Sequence, residues 1–336
     1  MKDLYNLHDF YSNGKSSKQL NNRRKSFGYQ ILGFGSGVAG TAFAGNDEGI
    51  FGYGNTGSSD EVSMSNKVSN VGVVATDVSG VGQARYQLAS TQYGEDKAIF
   101  GFGTTGGATG KLSMTNLVSN SGVIASDTTG VGTARMGLSA CSFGTDQGIF
   151  GYGENNSEAM VGMSNKISNV GVVATDVTKV GSARVTLASC EFGGDKGIFA
   201  FGYGPGHEWQ SISNIVSNTG VIASDVSNSG AGRQNPGGCS YGGDKGIFAY
   251  GYQTGGSVSM SNLVSNVGVV GSNVSGVGTA REVHNGACEY GQDKGIYAYG
   301  GGPTNVSNLV SNVGVISADV TGVGTSRHMV SGCSFN

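Results

Sequence analysis

The sequence repeats one unit of 49 or 50 residues six times between Gly49 and its C-terminus. Each copy contains an isoleucine followed by an aromatic residue, preceded by Gly or Ala; the isoleucines are Ile50, Ile99, Ile149, Ile198, Ile247 and Ile296. A second marker, Ser/Thr-Asn-x-Val/Ile-Ser-Asn, follows in every copy. A period of this length built from short β-rich segments is typical of sheets arranged in a closed radial array.

A single copy predicts four short strands. In the copy from Arg135 onward these are residues 135–143, 148–153, 163–169 and 171–176, with a Gly-Thr-Asp turn after the first. No segment shows helical periodicity, and four strands per unit are typical of one blade of a β-propeller. The Arg-led strand carries small residues, so we expect it to be innermost, where blades converge. The predicted fold is an all-β, six-bladed β-propeller of four-stranded blades with an N-terminal extension.

The C-terminal residues indicate how the ring of blades closes. Residues 327–335 repeat the inner strand and then stop, so we expect them to complete the blade that begins at Gly49. This arrangement removes the open edge of the array. Residues 37–45 are a weaker match to the inner strand and are the alternative for the same place. The predicted domains are an N-terminal arm, residues 1–48, and a propeller, residues 49–336.

These features resemble the kelch-type propeller repeat, which has an Arg-led strand of small residues, an aromatic strand ending in glycine and a β-branched pair. The paired glycines of that family appear here as Gly-Tyr-Gly or Gly-Phe-Gly, and its outer Trp is missing. The near-identical Tyr-Gly-x-Asp-Lys-Gly-Ile-Phe segments also resemble propeller proteins of bacteriophage virions and tails. The resemblance spans residues 49–335. It implies a non-enzymatic tail-, fibre- or capsid-associated protein located in the virion, with a cytoplasmic location as the alternative.

Charge is unevenly distributed along the chain. Its net charge of −3 gives no reason to expect nucleic-acid binding. Residues 1–30, however, contain six Lys and Arg against two Asp. We therefore predict that the arm, through Arg23, Arg24 and Lys25, binds other virion or scaffold proteins, with a solvated tail as the alternative. Neither an N-terminal apolar segment nor a run long enough to insert in a membrane is present.

Residues that recur in every copy are expected to serve the fold. The arginines (Arg85, Arg135, Arg184, Arg233, Arg281 and Arg327) are predicted to bind carbonyls or the aspartates of neighbouring fourth strands; an anion-binding ring is the alternative. The Asp-Lys pairs, such as Asp96-Lys97, are predicted to form turns with a solvated lysine. Asn70 and its equivalents are predicted to sit in hairpin turns in left-handed geometry. Cys141, Cys190, Cys239, Cys288 and Cys333 are predicted to be small buried residues and not disulfides.

Departures from the repeat are the better candidates for function. The fourth copy has a loop containing His207, Glu208 and the chain's only Trp, Trp209. We predict that this loop contacts a partner, a host-surface glycan or a receptor, with simple loop packing as the alternative. No catalytic set, metal-ligand spacing or cofactor motif is recognised. Two alternatives remain: a carbohydrate-binding propeller with shallow sites on its blades, and an enzyme on a propeller scaffold.

Overall fold

The computed structural model describes residues 46–57, 60–178 and 181–336, and within them it is all-β with no helix. The first strands in chain order are β1 (Glu48–Gly52), β2 (Ser65–Val68), β3 (Ala89–Tyr93), β4 (Lys97–Gly101), β5 (Thr115–Val118), β6 (Arg135–Met136), β7 (Ser139–Phe143), β8 (Gln147–Gly151), β9 (Glu154–Asn155), β10 (Ser164–Ile167), β11 (Ala188–Phe192) and β12 (Lys196–Ala200). The remainder are β13 (Ile212–Val216), β14 (Val226–Ser227), β15 (Gly237–Tyr241), β16 (Lys245–Ala249), β17 (Tyr252–Gln253), β18 (Gly256–Ser257), β19 (Ser261–Val264), β20 (Ala287–Tyr290), β21 (Lys294–Gly300), β22 (Thr304–Val310) and β23 (Ser331–Phe335).

The strands form six small antiparallel sheets, one around each strand that contains a repeat isoleucine. The sheets have the strand orders β23-β1-β2, β3-β4-β5, β7-β8-β10, β11-β12-β13-β14, β15-β16-β19 and β20-β21-β22. We call the first strand of each sheet the inner strand. Two further two-stranded sheets, β6-β9 and β17-β18, lie outside these six. Every inner strand contacts the inner strand of the next sheet, and β20 contacts β23, which in turn contacts β3.

The last strand belongs to the same sheet as the first. β23 pairs with β1 in antiparallel register, with Cys333 opposite Ile50. This confirms the predicted pairing of the C-terminal segment with the strand at Gly49. The competing segment, residues 37–45, and nearly all of the predicted arm lie outside the described residues.

Backbone hydrogen bonds connect the turns that follow the inner strands. The Gly94 amide donates to the Asp146 carbonyl at 2.7 Å, and the same bond recurs from each turn to the next. The series continues through Gly144–Asp195, Gly193–Asp244, Gly242–Asp293 and Gly291–Asp47, and Asn336 donates to Asp96 at 3.0 Å. Asp47, near the start of the described residues, and the C-terminal residue Asn336 therefore belong to one cycle of hydrogen-bonded turns.

The hydrophobic core is divided between neighbouring sheets. One cluster combines Cys141, Phe143 and Ile149 of one sheet with Phe199 and Val216 of the next, all nearly inaccessible to solvent. The Gly197 position shows how closely the sheets approach, because a Cβ there would lie 2.3 Å from the Cys141 Sγ. All five cysteines are buried and free, as predicted.

The prediction of four strands per sheet is wrong for five of the six sheets, and only β11-β12-β13-β14 has a fourth strand. In the first copy, isolated bridges join Val74 to Val68 and Val78 to Ser65. Between them, the Asn66 amide donates to the Ala75 carbonyl at 2.9 Å. The Asn66 side chain thus takes the place of a backbone donor to Ala75, so the hydrogen-bonded ladder between the third strand and the fourth segment is interrupted.

Turn geometry matches the prediction in position but not in detail. Asn70 does lie in a hairpin turn, but the left-handed residue there is Gly72, with a φ of 80°. Glycine adopts this conformation without the steric cost that a side chain would add. Asp96 and its equivalents lie at the predicted turns, yet Lys97 is not simply solvated, because its Nζ lies 2.5 Å from the Asp96 carboxylate.

Candidate functional site

One position on each inner strand faces a shared polar cavity. Sheet register identifies this position, because each of these residues lies opposite the Gly or Ala that precedes the repeat isoleucine. We call the set the polar ring; in ring order it is Gln92, Ser142, Glu191, Ser240, Glu289 and Ser334. Long side chains therefore alternate with serines around the ring.

The cavity is small and takes its lining from all six inner strands. Its volume is about 60 Å³, and its lining includes the polar ring together with residues two positions earlier, such as Ser90 and Ser189. None of the described Lys, Arg or His residues lines it. This volume corresponds to about two water molecules, so the cavity suits an ion or solvent and not an organic ligand.

Part of the polar ring is held by hydrogen bonds. The Gln92 amide donates to Glu191 at 2.9 Å and to the Ser142 hydroxyl at 3.2 Å. Ser142 also donates to Glu191. The side-chain amide of Asn46, just before β1, donates to the side-chain oxygen Oε1 of Gln92 at 2.5 Å. Burial raises the pKa of Glu191, while the bonds from Ser142 and Gln92 oppose that rise.

Glu289 differs from Glu191 in its surroundings. It is only 8% exposed, and its carboxylate accepts no hydrogen bond from any described residue. Its neighbour Ser334 is engaged with the Glu289 backbone instead, accepting from the amide at 2.8 Å and donating to the carbonyl at 3.0 Å. Burial raises the pKa of Glu289 well above its ordinary value, and the charge of Glu191 adds to the effect. Glu289 lines the cavity, and its carboxylate oxygens are not among the described polar atoms that are both buried and unpaired.

Asn285 ties together the beginnings of the inner strands. Its amide donates to the carbonyls of Leu88 and Leu138, at 3.0 and 2.9 Å, and its oxygen accepts from the Ser139 hydroxyl at 2.9 Å. One side chain therefore bonds to two other copies and limits how far the inner strands can separate.

The recurring arginines are buried and serve the fold, which confirms the structural interpretation of these residues. Arg135 is inaccessible to solvent, donates to the Asn165 oxygen at 2.6 Å and lies 3.3 Å from Asp176. Its guanidinium lies over the Phe102 ring, 4.7 Å from the centroid. We call this Arg, Asn and aromatic set, with its fourth-segment Asp or Asn, the arginine network. It recurs in all six copies, with ring distances between 4.0 and 4.7 Å.

The loop predicted to contact partners forms an aromatic group of its own. His207 and Glu208 are exposed, and Trp209 is partly buried. Tyr203 lies between the two rings, with centroids 5.9 Å from His207 and 6.3 Å from Trp209, and its hydroxyl is 3.2 Å from His207 Nδ1. Glu208 accepts from Gln210 at 2.5 Å. The predicted residues Arg23, Arg24 and Lys25 lie outside the described residues.

Among the described residues, no three His, Cys, Asp or Glu side chains come together as a metal-binding group. The same part of the chain contains no helix with the length and apolar character needed to cross a membrane. Burial raises the pKa of each of the five thiols.

Comparison with known proteins identifies no relative. No family model matches the chain, and no curated protein is significantly similar to it.

The polar ring was not predicted from the sequence. A signal was present, since the residue between the repeat Thr or Cys and the following aromatic reads Gln, Ser, Glu, Ser, Glu, Ser along the six copies. Its meaning depends on six distant positions meeting, which only the tertiary structure provides.

Proposed function

We propose that the six sheets are the blades of a six-bladed β-propeller and that the chain is a non-enzymatic structural or interaction protein of a virion. The cyclic contacts of the inner strands and the hydrogen-bonded cycle of turns support the propeller. Radial repetition of this kind leaves only short edges to protect. The kelch-like and bacteriophage resemblance of the sequence supports the virion assignment.

The observation that carries the interaction role is a recurring set of exposed valines. Each of the six hairpins after a third strand presents one or two valines that are 61–70% exposed: Val71, Val73, Val123, Val170, Val172, Val221, Val267, Val269, Val313 and Val315. Repeated exposure of large apolar side chains indicates a surface that binds another protein.

These hairpins lie beside the turns that follow the inner strands. The Asn120 amide donates to Asp96 at 3.1 Å, and Asn169 donates to Asp146 at 3.0 Å. The valines therefore share one face with the ionic turns. We propose that this face docks against another virion protein with a complementary apolar surface, while the basic arm supplies a separate tether.

Paired valine substitutions test this role. The Val170→Ser/Val172→Ser variant should fold normally, because both side chains are largely exposed, yet be depleted from purified particles as measured by quantitative mass spectrometry. The matched control is Val226→Ser, which alters a valine that is 54% exposed on β14 and not on a hairpin. Equal incorporation of both variants would exclude this face, and absence of the wild-type chain from particles would exclude a virion role.

The arm is tested separately by limited trypsin digestion. We expect rapid cleavage near Arg23, Arg24 and Lys25 in the isolated protein and protection of the same sites in particles. Resistance in the isolated protein contradicts a free tether.

Glycan binding is a second candidate, favoured by the Tyr203, His207 and Trp209 group. Aromatic faces flanked by polar groups are suited to sugar rings, and this group occurs in one copy only. A glycan array should give signals that Trp209→Ala abolishes. The absence of any wild-type signal removes this candidate and leaves the assembly role intact.

A further inference from the structure

We propose that the polar ring binds one hard divalent cation, Ca²⁺ or Mg²⁺, between Glu191 and Glu289. Both carboxylates line the same cavity, and that of Glu289 has no hydrogen-bond donor among the described residues although the side chain is only 8% exposed. Two carboxylates that face one small cavity repel each other unless a proton or a cation compensates their charge.

Among the described residues, no cationic side chain lines the cavity. The lysines of the turns that follow Glu191 and Glu289 are each paired with an aspartate. Lys196 lies 2.5 Å from Asp195, and Lys294 lies 2.6 Å from Asp293. The two glutamates together carry the charge that a divalent ion neutralises.

The donor atoms select the class of ion. Beyond the two carboxylates, the ring offers the hydroxyls of Ser142, Ser240 and Ser334 and no imidazole. Oxygen-only sets suit Ca²⁺ and Mg²⁺ and not softer metals. The cysteines of the lining do not change this preference. The thiol of Cys141, for example, lies against Gly197 of the neighbouring sheet, and burial keeps it protonated.

Among the described residues, the cavity lacks a group of three His, Cys, Asp or Glu ligands because the third long side chain of the ring is a glutamine. The three long side chains at alternate positions are Gln92, Glu191 and Glu289, and the Gln92 amide bonds to Glu191. Gln92 therefore positions one carboxylate, and the cation bridges from it to the other. The volume of about 60 Å³ accommodates an ion with about one water molecule.

Calorimetry on the chelator-treated full chain tests the site with Ca²⁺ and Mg²⁺ chlorides as separate titrants. We expect one ion per chain and a rise in Tm of at least about 3 °C at tenfold excess over Kd. Glu289→Gln should weaken binding roughly tenfold or more, since it removes a charged ligand and preserves shape. The matched control, Glu158→Gln, alters an exposed glutamate on a loop and should bind as the wild type does.

Terbium luminescence gives an independent readout, because Tyr290 directly follows Glu289. Tyrosine-excited Tb³⁺ emission should appear in the wild type, fall when Ca²⁺ is added and be weak in Glu191→Gln. If Glu289→Gln does not fold, this second variant and the wild-type titrations decide the matter. No binding of either ion to the wild type, or equal binding by the wild type and a folded ring variant, overturns the proposal.

Discussion

The arginine network and the polar ring are each built from equivalent positions in six copies, but the two regions differ in how constant they are. Arg and Asn are present in every copy of the network, and each Arg is at most 2% exposed. In the polar ring the residue changes between Gln, Ser and Glu, and no described residue donates a hydrogen bond to the Glu289 carboxylate. Residues that every copy retains hold the copies together, whereas a position that varies is available for a single site.

A natural exception within the network sharpens this comparison. The fifth copy has Asn273 where the others have Asp, so Arg233 binds the Asn262 oxygen at 2.7 Å and the Tyr250 carbonyl at 2.8 Å without a carboxylate. Burial lowers the pKa of Arg233 to about 10. The network therefore tolerates loss of the carboxylate more readily than loss of the guanidinium, because Asn and carbonyl partners remain.

The largest effect is expected from Arg135→Ala. This change leaves Asn165 and Asp176 without their cation and removes the stack on Phe102. We expect the free energy of unfolding to fall by about 3–5 kcal/mol, measured by urea denaturation. A loss below about 1 kcal/mol would contradict a central role for the network.

Acid should weaken the network through its aspartates. Burial by itself would raise the pKa of Asp176, but hydrogen bonds from Thr133 and Asn165 and the charge of Arg135 lower it overall. The pKa values of Asp77, Asp225 and Asp319 are lowered in the same way. A carboxyl group whose pKa is lower in the folded protein than in the unfolded chain stabilises the fold. This stabilisation is fully present at pH values above the ordinary pKa of 3.8, and it is lost as the pH falls through the pKa of the folded protein.

We therefore expect the urea midpoint to drop steeply below pH 3.8. Asp176→Asn should lower the midpoint at neutral pH and make its pH dependence shallower. An unchanged slope in that variant would show that these carboxylates do not govern acid unfolding.

A change in the polar ring should have the opposite sign. Without divalent ions, Glu289→Gln is expected to raise the free energy of unfolding by about 1–2 kcal/mol, because it replaces an unpartnered buried carboxylate with a neutral amide. Denaturation in the presence of a chelator measures this gain. A loss of stability would place Glu289 with the residues that hold the fold.

The smallest effect is expected at the ionic turns. Lys97 and Asp96 are paired at 2.5 Å, but their side chains are 42% and 38% exposed. Lys97→Ala should change the free energy of unfolding by less than about 1 kcal/mol, and added salt should reduce the difference further. A larger change in urea denaturation would show that the cycle of turns depends on this ion pair.

The sequence by itself determined the β class, the sixfold recurrence, the pairing of the C-terminal strand with β1, the turns at the aspartates, the structural role of the arginines and the burial of the cysteines. The turns and the small buried residues follow from local pattern within one copy, and the recurrence and the strand pairing follow from comparing the copies. The sequence predicted a continuous fourth strand and did not predict its interruption. The Asn66 side-chain amide takes the place of a backbone donor there, and strand propensity does not account for such side-chain hydrogen bonds.

Only the tertiary structure decided the polar ring. Its six residues are spaced one repeat apart along the chain, and each alone is an ordinary polar residue at the end of a short strand. Convergence of six inner strands brings the half-buried Glu191 and the buried Glu289 into one cavity. No single copy contains both carboxylates, and their meeting makes that cavity the candidate for a bound cation.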